Sequence, residues 1–511
     1  MQKLINKYVL FAYNLGMNKY VLAIDQGTTS SRAILFDKGG HKIAMANREV
    51  KCLYPHEGYV ESDATEMFIS VVDVISEVMI KSNITWNQID SVGITNQRET
   101  TIVWDKATGN PVYNAIVWQS RQSVDICEAH MDKKDVIHQK TGLLINPYFS
   151  ASKIRFILDH IKDGQKRAEA GELMFGTVDS WLIYKLSNGK KHLTDVTNAS
   201  RTMLFNIFKL KWDKDLLKIF NIPECMLPKV CESSYDYGPV SFFSTKVHIM
   251  AVAGDQQASL FGHNCFLAGQ SKNTYGTGCF MLLNTGEKAV LSKKGLLTTI
   301  AWGLDGRVNY ALEGSVFIGG AAIQWLRDGL KVIREAPECD PEAKKESGSN
   351  GVYFVPAFVG LGTPYWDDDV RGAMFGMTRA TNKSHIIRAT LEAIAYQSKD
   401  VFDLMEAESG IHMTSLQVDG GATASNILMQ FQSDILQINI QKPACLETTA
   451  LGVAYLAGLK SGYWKNMNEI HKTHEYKETY TPKMSPKEAK RRCDGWALAV
   501  KSAMMFKPER K

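Results

Sequence analysis

No stretch of eighteen apolar residues occurs in this chain, which excludes a membrane-spanning helix of ordinary length. No block of five like charges occurs either, and 59 Lys+Arg against 54 Asp+Glu leave a net charge of only +5. So diffuse an excess points to neither nucleic acid nor a membrane surface as partner. None of the nine cysteines stands in a Cys-x-x-Cys pair, and their scatter speaks against a disulfide framework or a zinc site. Reduced thiols, mostly in cores, and a cytoplasmic location are the expectation. Three common nucleotide motifs are missing as well: the Gly-x-x-x-x-Gly-Lys-Ser/Thr loop, a Gly-x-Gly-x-x-Gly after a strand, and the protein-kinase set. His56-Glu57 begins like a zinc-protease helix, but Val60 stands where the second histidine is required.

What is present is ordinary globular composition, 45% hydrophobic and 22% charged, over 511 residues. That length calls for two domains of about 200–250 residues each. Residues 1–16 carry Lys3, Lys7 and the short apolar run Tyr8–Tyr13, without the longer core and small-residue cleavage site of a signal peptide. They read as an extension before the first structural element at Met17. The domains are expected over 17–262 and 263–511.

Lys19–Ile24 and Arg32–Asp37 read as strands joined by the polar turn Gln26–Ser31, with a third strand at His41–Arg48. Thr65–Lys81 shows helical periodicity, and Ile89–Ile94 and Thr101–Trp104 are strand-like. Helices are expected near Ser120–His130 and Ser152–Lys162. A strand meeting an acidic, glycine-rich turn recurs: His248–Ala253 leads into Gly254-Asp255-Gln256-Gln257, and Gly269–Asn273 into Thr274-Tyr275-Gly276-Thr277-Gly278. This suggests two similarly built halves, each supplying a strand-terminal acid. Later, Leu416–Val418 runs into Asp419-Gly420-Gly421, a helix follows over Ser425–Leu436, and Thr448–Leu459 is a helix of many small residues.

These turns suit phosphate and polyol chemistry. In Asp25-Gln26-Gly27-Thr28-Thr29-Ser30, glycine permits close backbone approach, hydroxyls donate, and turn N–H groups can converge on one anion. Asp25, ending a strand, is placed to hold Mg²⁺. Asp255 ends an apolar strand between glycine and amides, which suits a general base beside a polyol. Gly276-Thr277-Gly278 offers a further phosphate contact, and Gly420-Gly421 bare backbone for a nucleobase.

DQGTTSSR (25–32), GITNQRET (93–100), GTVDSWL (176–182), TDVTNASRTML (194–204), AGDQQASLFG (253–262) and NTYGTGCFML (273–282) together resemble the glycerol-phosphorylating branch of the FGGY carbohydrate kinases. ALEGSVFIGGAAIQWLRD (311–328), VPAFVGLGTPYWD (355–367) and ETTALG (447–452) extend the likeness. The resemblance implies an α/β fold of two ribonuclease-H-like domains, as in actin and Hsp70, with the active site in an interdomain cleft. It implies ATP and Mg²⁺, transfer of the γ-phosphate to glycerol to give sn-glycerol 3-phosphate, and a homodimer or homotetramer. It assigns glycerol to Arg98, Glu99, Trp118, Tyr148, Asp255, Gln256 and Phe280. It assigns ATP to Thr28, Thr29, Ser30, Arg32, Thr277, Gly320, Gln324 and Gly421, and metal to Asp25 and Asp255, with Asp255 the catalytic base. Ser425 stands where the family usually has asparagine, and its shorter side chain weakens that nucleotide contact.

Two other readings stay open on the residues alone. One is a kinase of a larger sugar or polyol, against which Trp118 and Phe280 would crowd a five-carbon chain. The other is an actin- or Hsp70-like ATP-dependent scaffold, which explains Asp25–Thr29 and Asp419–Gly421 but not GITNQRET. Regulation is expected to be simple. The stretch from Pro239 to Ala253 lacks the glycines and arginine of a fructose 1,6-bisphosphate loop, and Ser241 replaces the histidine that a phosphotransfer relay would modify.

Overall fold

The computed structural model describes residues 19–367 and 369–506, so the extension expected over 1–16 lies outside the described residues. The chain forms two compact units. The first runs to Asn264 and includes Thr299–Tyr310 and Glu447–His474; the second takes Cys265–Thr298, Ala311–Leu446 and the chain after His474. A single break at 262/263 therefore does not describe the division. Two segments from the later half of the chain pack with the first unit.

The first unit is built on six strands: β1 (Tyr20–Gln26), β2 (Ser30–Phe36), β3 (Lys42–Glu49), β4 (Ile89–Asn96), β5 (Ser234–Pro239) and β6 (His248–Gly254). Their order in the sheet is β5-β6-β4-β1-β2-β3. β1, β2 and β3 pair antiparallel, whereas β4 lies parallel to β1 and β6 parallel to β4. Val21 to Ile24 are buried without interruption, as a strand covered on both faces requires. Helix Ala64–Ser82 covers one face, placing Met67, Val71, Val74 and Val78 in one core with Leu22, Ile24 and Val92. Helix Thr448–Ser461 covers the other so closely that a Cβ on Gly93 would lie 2.6 Å from the Val453 carbonyl oxygen. The same helix meets helix Asp255–Gly262 backbone to backbone: a Cβ on Gly452 would stand 1.8 Å from the Ala258 carbonyl oxygen. The small residues of 448–459 serve that approach.

A second sheet comprises β7 (Ser271–Tyr275), β8 (Cys279–Gly286), β9 (Leu297–Leu304), β10 (Arg307–Val316), β11 (Ser415–Asp419), β12 (Asn439–Pro443) and β13 (Tyr476–Tyr480). The order is β9-β10-β8-β7-β11-β12-β13. Again the first two strands form an antiparallel hairpin and the later ones run parallel beside the first. β3-β2-β1-β4-β6 and β10-β8-β7-β11-β12 are thus one arrangement used twice, the ribonuclease-H-like α/β fold in each unit. Helix Lys383–Ser409 supplies Ile387, Leu391, Ile394 and Val401 to the core beneath β8 and β10.

Two expectations change here. Asp25 and Asp255 do not come from opposite halves: both end strands of the first sheet, and the counterpart of the turn after Asp25 is Gly276–Gly278, between β7 and β8. The helix expected over Ser120–His130 is only five residues long, Val124–Glu128.

Candidate active site

β1 and β6 flank β4 in parallel, and Asp25 and Ala253 both lie opposite Thr95. Asp25 and Asp255 therefore leave the sheet at the same edge, with the continuation of β4, Gln97-Arg98-Glu99, between them. The carboxyl ends of parallel strands are where α/β sheets bind ligands. Burial pushes the Asp25 carboxyl up to about 7; Arg32 opposes the shift, and the carboxylates of Asp255 and Glu447 add to it. Arg32 Nη1 donates to Glu447 Oε2 at 3.4 Å.

The β1–β2 turn is braced from below. Gln97 Nε2 donates to Gln26 Oε1 at 3.0 Å and to the Gly27 carbonyl at 3.1 Å. Thr28 Oγ1 accepts from Trp118 Nε1 at 2.9 Å, which ties the turn to the aromatic wall. Trp118 in turn meets Tyr148 edge to face, with centroids 5.6 Å apart. Thr29 is exposed and Ser30 half-buried at the start of β2.

Arg98 and Glu99 are 3% and 1% exposed. Arg98 Nε lies 3.2 Å from Asp255 Oδ1, Nη1 donates to Gln257 Oε1 at 3.3 Å, and Nη2 to Tyr148 Oη at 3.5 Å. A side chain at Gly254 would collide with Arg98, its Cβ falling 2.8 Å from Cγ and Cδ. Glu99 adopts φ +61°, a conformation that its surroundings impose. Its carbonyl accepts from Ser150 Oγ and Thr101 Oγ1, each at 3.1 Å, and from Lys153 Nζ at 3.3 Å. Its carboxylate accepts from Arg201 Nε at 2.5 Å. Lys153 also donates to the Tyr148 carbonyl, and burial drags its ammonium down to about 7. The Arg201 guanidinium lies over the rings of Tyr148 and Phe149, at 5.5 and 5.2 Å.

The first unit thus brings together Arg98, Glu99, Trp118, Tyr148 and Asp255, with Gln256 donating its N–H to Asp255 Oδ1 at 2.7 Å. Phe280 belongs to the second unit, on β8 opposite Thr274. Lys153, Arg201, Gln257 and Glu447 were not singled out from sequence. The signal was there: three of them stand inside the quoted motifs, as charged or amide residues amid small and apolar ones.

In the second unit the β7–β8 turn is strapped to the start of helix Gly320–Asp328. Gly320 N donates to the Gly276 carbonyl at 2.8 Å, and Gly319 N and Ala321 N donate to the Thr277 carbonyl at 2.8 and 3.1 Å. The Gly320 Cβ position lies 3.9 Å from Ala422 Cβ. Gly420, at φ +91°, rests on Tyr275, whose carbonyl oxygen a Cβ would approach to 2.5 Å. The segments carrying Thr277, Gly320, Gln324 and Gly421 therefore converge. Thr277, Gln324 and Gly421 are exposed, and a Cβ on Gly421 would meet nothing within 4 Å. Ser425, expected beside the nucleotide, also has a local structural task. Its Oγ donates to Asp340 and accepts from Leu428 N at 3.1 Å, capping helix Asn426–Leu436. Among the described residues no group of three or more His, Cys, Asp or Glu side chains forms a metal cage.

The family model for the N-terminal domain of the FGGY family of carbohydrate kinases matches residues 20–262, and that for the C-terminal domain matches 271–461. A glycerol kinase of Geobacillus sp. (strain WCH70) is 56% identical over 496 residues, covering 96% of this chain and 100% of its own. A glycerol kinase of Thermus thermophilus matches to the same extent, 56% over 496 residues, again 96% and 100%. The crystal structure of Plasmodium falciparum glycerol kinase with ADP has a TM-score of 0.90 and 35% identity, covering 95% of this chain and 98% of that one. A gluconate kinase from Lactobacillus acidophilus, 22% identical, shares the fold at a TM-score of 0.84 over 95% and 97% of the two chains.

Proposed function

The chain belongs to the FGGY family of carbohydrate kinases, and from that premise we infer that it phosphorylates glycerol, passing the γ-phosphate of ATP to a terminal hydroxyl to give sn-glycerol 3-phosphate and ADP. The observation that carries this reading is the 56% identity to glycerol kinases over 96% of the chain.

The pocket of the first unit suits the acceptor. Glycerol is neutral and small, so it must be recognised by directed hydrogen bonds from a dry site. Arg98 donates, Glu99 accepts, and Trp118 and Tyr148 wall the carbon chain. Asp255 takes the proton of the attacking hydroxyl, with Arg98 at 3.2 Å fixing where Oδ1 points. Gln256 completes the first unit's acceptor set. We assign the phosphates of ATP to Thr28, Thr29, Ser30, Arg32 and Thr277, and the remainder of the nucleotide to Gly320, Gln324 and Gly421. Ser425 acts as a helix cap.

The residues present fit Mg²⁺. Asp25 and Asp255 offer only oxygen, the ligand type Mg²⁺ takes, and a dication would offset the unfavourable charging of Asp25 beside two other carboxylates. The lack of a full cage among the described residues matches a cation held mainly by one or two carboxylates and the substrate's phosphates. When bound, it supplies charge neutralisation for the transferring phosphoryl group.

No helix among the described residues is long and apolar enough to cross a membrane, and all nine cysteines are free thiols. We place the protein in the cytoplasm as a homodimer or homotetramer, which sedimentation checks. The deciding assay is ADP release with glycerol, xylulose, gluconate or no acceptor. Glycerol should stimulate ADP release at least about tenfold over the others. Equal rates with xylulose or gluconate would sink the assignment.

A further inference from the structure

The polar residues of Thr194-Asp195-Val196-Thr197-Asn198-Ala199-Ser200-Arg201 are all buried, although the proposed reaction assigns none of them a task. Asp195 caps the short helix Val196–Ala199, accepting from Thr197 N at 3.0 Å and Asn198 N at 2.9 Å. Its carboxylate also accepts from Thr197 Oγ1 at 2.8 Å, Asn198 Nδ2 at 3.0 Å and Ser233 Oγ at 2.7 Å. These five donors leave Asp195 one geometry, and it imposes that geometry on its neighbours.

Two neighbours reach the active site. The Thr197 hydroxyl gives its proton to Asp195, so a lone pair is left for the Gly254 N–H, which donates to it at 2.8 Å. Asn198 and Asn96 exchange amide hydrogen bonds of 2.9 and 3.1 Å. Gly254 ends β6 and immediately precedes Asp255. Asn96 ends β4 and leads into Gln97-Arg98-Glu99. One buried carboxylate thus anchors the last residues of both strands from which the site projects. Gly254 cannot hold its own place by side-chain packing, because the space a Cβ would need is taken by Arg98.

We propose that Thr197, oriented by Asp195, is a positioning residue for phosphoryl transfer: it fixes the backbone from which the Asp255 carboxylate reaches the acceptor. The proposal rests on the reading of Asp255 as the base. It acts through Asp255 and touches no substrate, so its loss should lower turnover while leaving the acceptor pocket able to bind.

The test compares Thr197→Val, which keeps the shape and removes the hydroxyl, with Thr197→Ser, which keeps the hydroxyl. Each is assayed for kcat, glycerol KM, glycerol affinity by calorimetry and Tm. Displacement of a catalytic group by about 1 Å costs on the order of a hundredfold, so T197V should lose about 10- to 100-fold in kcat. Its glycerol affinity should stay within about threefold of wild type, and T197S should recover kcat to within about threefold. A T197V enzyme with unchanged kcat, an equal loss of kcat and affinity, or a T197S variant as poor as T197V overturns the proposal. If T197V yields no folded protein, Ser233→Ala decides, since it removes a donor to Asp195 without touching the Gly254 bond. A kcat lowered at least about threefold at unchanged glycerol KM upholds the proposal, and an unchanged kcat overturns it. The wild type is first assayed on glycerol, xylulose and gluconate. Should another acceptor be preferred, the variants are compared on that one, so an error in the acceptor leaves this test standing.

Discussion

In the first unit the proposed acceptor pocket is built from side chains, and Arg98, Glu99, Lys153 and Arg201 are almost wholly buried within it. In the second unit the corresponding edge of the sheet is mostly backbone: Gly276, Gly320, Gly420 and Gly421, with Thr277 and Gln324 exposed beside them. The difference suits the ligands proposed for the two edges. A neutral triol offers no charge to attract, so its recognition needs donors and acceptors fixed in a dry setting, and fixing buried charges takes the pairings seen around Glu99 and Arg98. Phosphates bring their own charge and can be held by converging N–H groups, which bare glycine backbone allows to come close. Substitutions should therefore act through lost interactions in the first unit and through sterics in the second.

The sharpest way to break that contrast is Asp255→Asn. Losing the base typically costs about 10²–10⁴-fold, and kcat should fall by that much while glycerol affinity changes by less than about tenfold. Retention of more than about a tenth of wild-type turnover would show that the proton goes elsewhere. Next is Arg98→Ala, which takes from Asp255 its guanidinium partner and from the pocket one of its buried donors, while Glu99 keeps Arg201. Glycerol KM should rise about ten- to a hundredfold with ATP KM little changed; a normal glycerol KM would move the acceptor site.

Gly420→Ala probes the second unit. It places a methyl group against the Tyr275 backbone at 2.5 Å in a left-handed conformation, and backbone cannot step aside as a side chain can. ATP KM should rise about tenfold and Tm should drop, with glycerol affinity intact; coupled loss of both affinities would erase the distinction between the units.

Asp25 gives a pH signature. Its carboxyl, normally at 3.8, is raised to about 7, so the folded state binds the extra proton. That contribution to stability is complete below about 4 and disappears as pH rises through about 7. In metal-free buffer the wild type should lose thermal stability relative to Asp25→Asn between about pH 4 and 7. A difference independent of pH would mean that Asp25 titrates as an exposed acid.

Ser425→Ala should do least. With its hydroxyl committed to Asp340 and the helix cap, its loss should cost about 1 kcal/mol of stability and change ATP KM by less than about threefold. A larger rise in ATP KM would restore Ser425 to the nucleotide site.

Local pattern revealed much of this molecule. The hairpin β1–β2, the strand β4 and the helix Ala64–Ser82 were legible because a period of two or of 3.6 is written in the apolar residues themselves. Helix Lys383–Ser409 was not, because positions 389 to 398 are buried all round and show no stripe. The glycine-rich turns at strand ends were legible as well, because glycine, threonine and acid cluster there in the chain itself. Their partners were not: Arg201 meets Glu99 across 102 residues, and Asn198 meets Asn96 across the same distance.

By itself the sequence determined the kind of chemistry, the two-part α/β architecture and the glycine-rich turns at strand ends, because these depend on composition and local spacing. Only the tertiary structure decided that Asp25 and Asp255 share one sheet, that helix Thr448–Ser461 returns to the first unit, and that Ser425 is a cap. Those facts depend on which strands pair in parallel and which backbones approach at glycine, and long-range contacts of that kind leave no period in the chain that makes them.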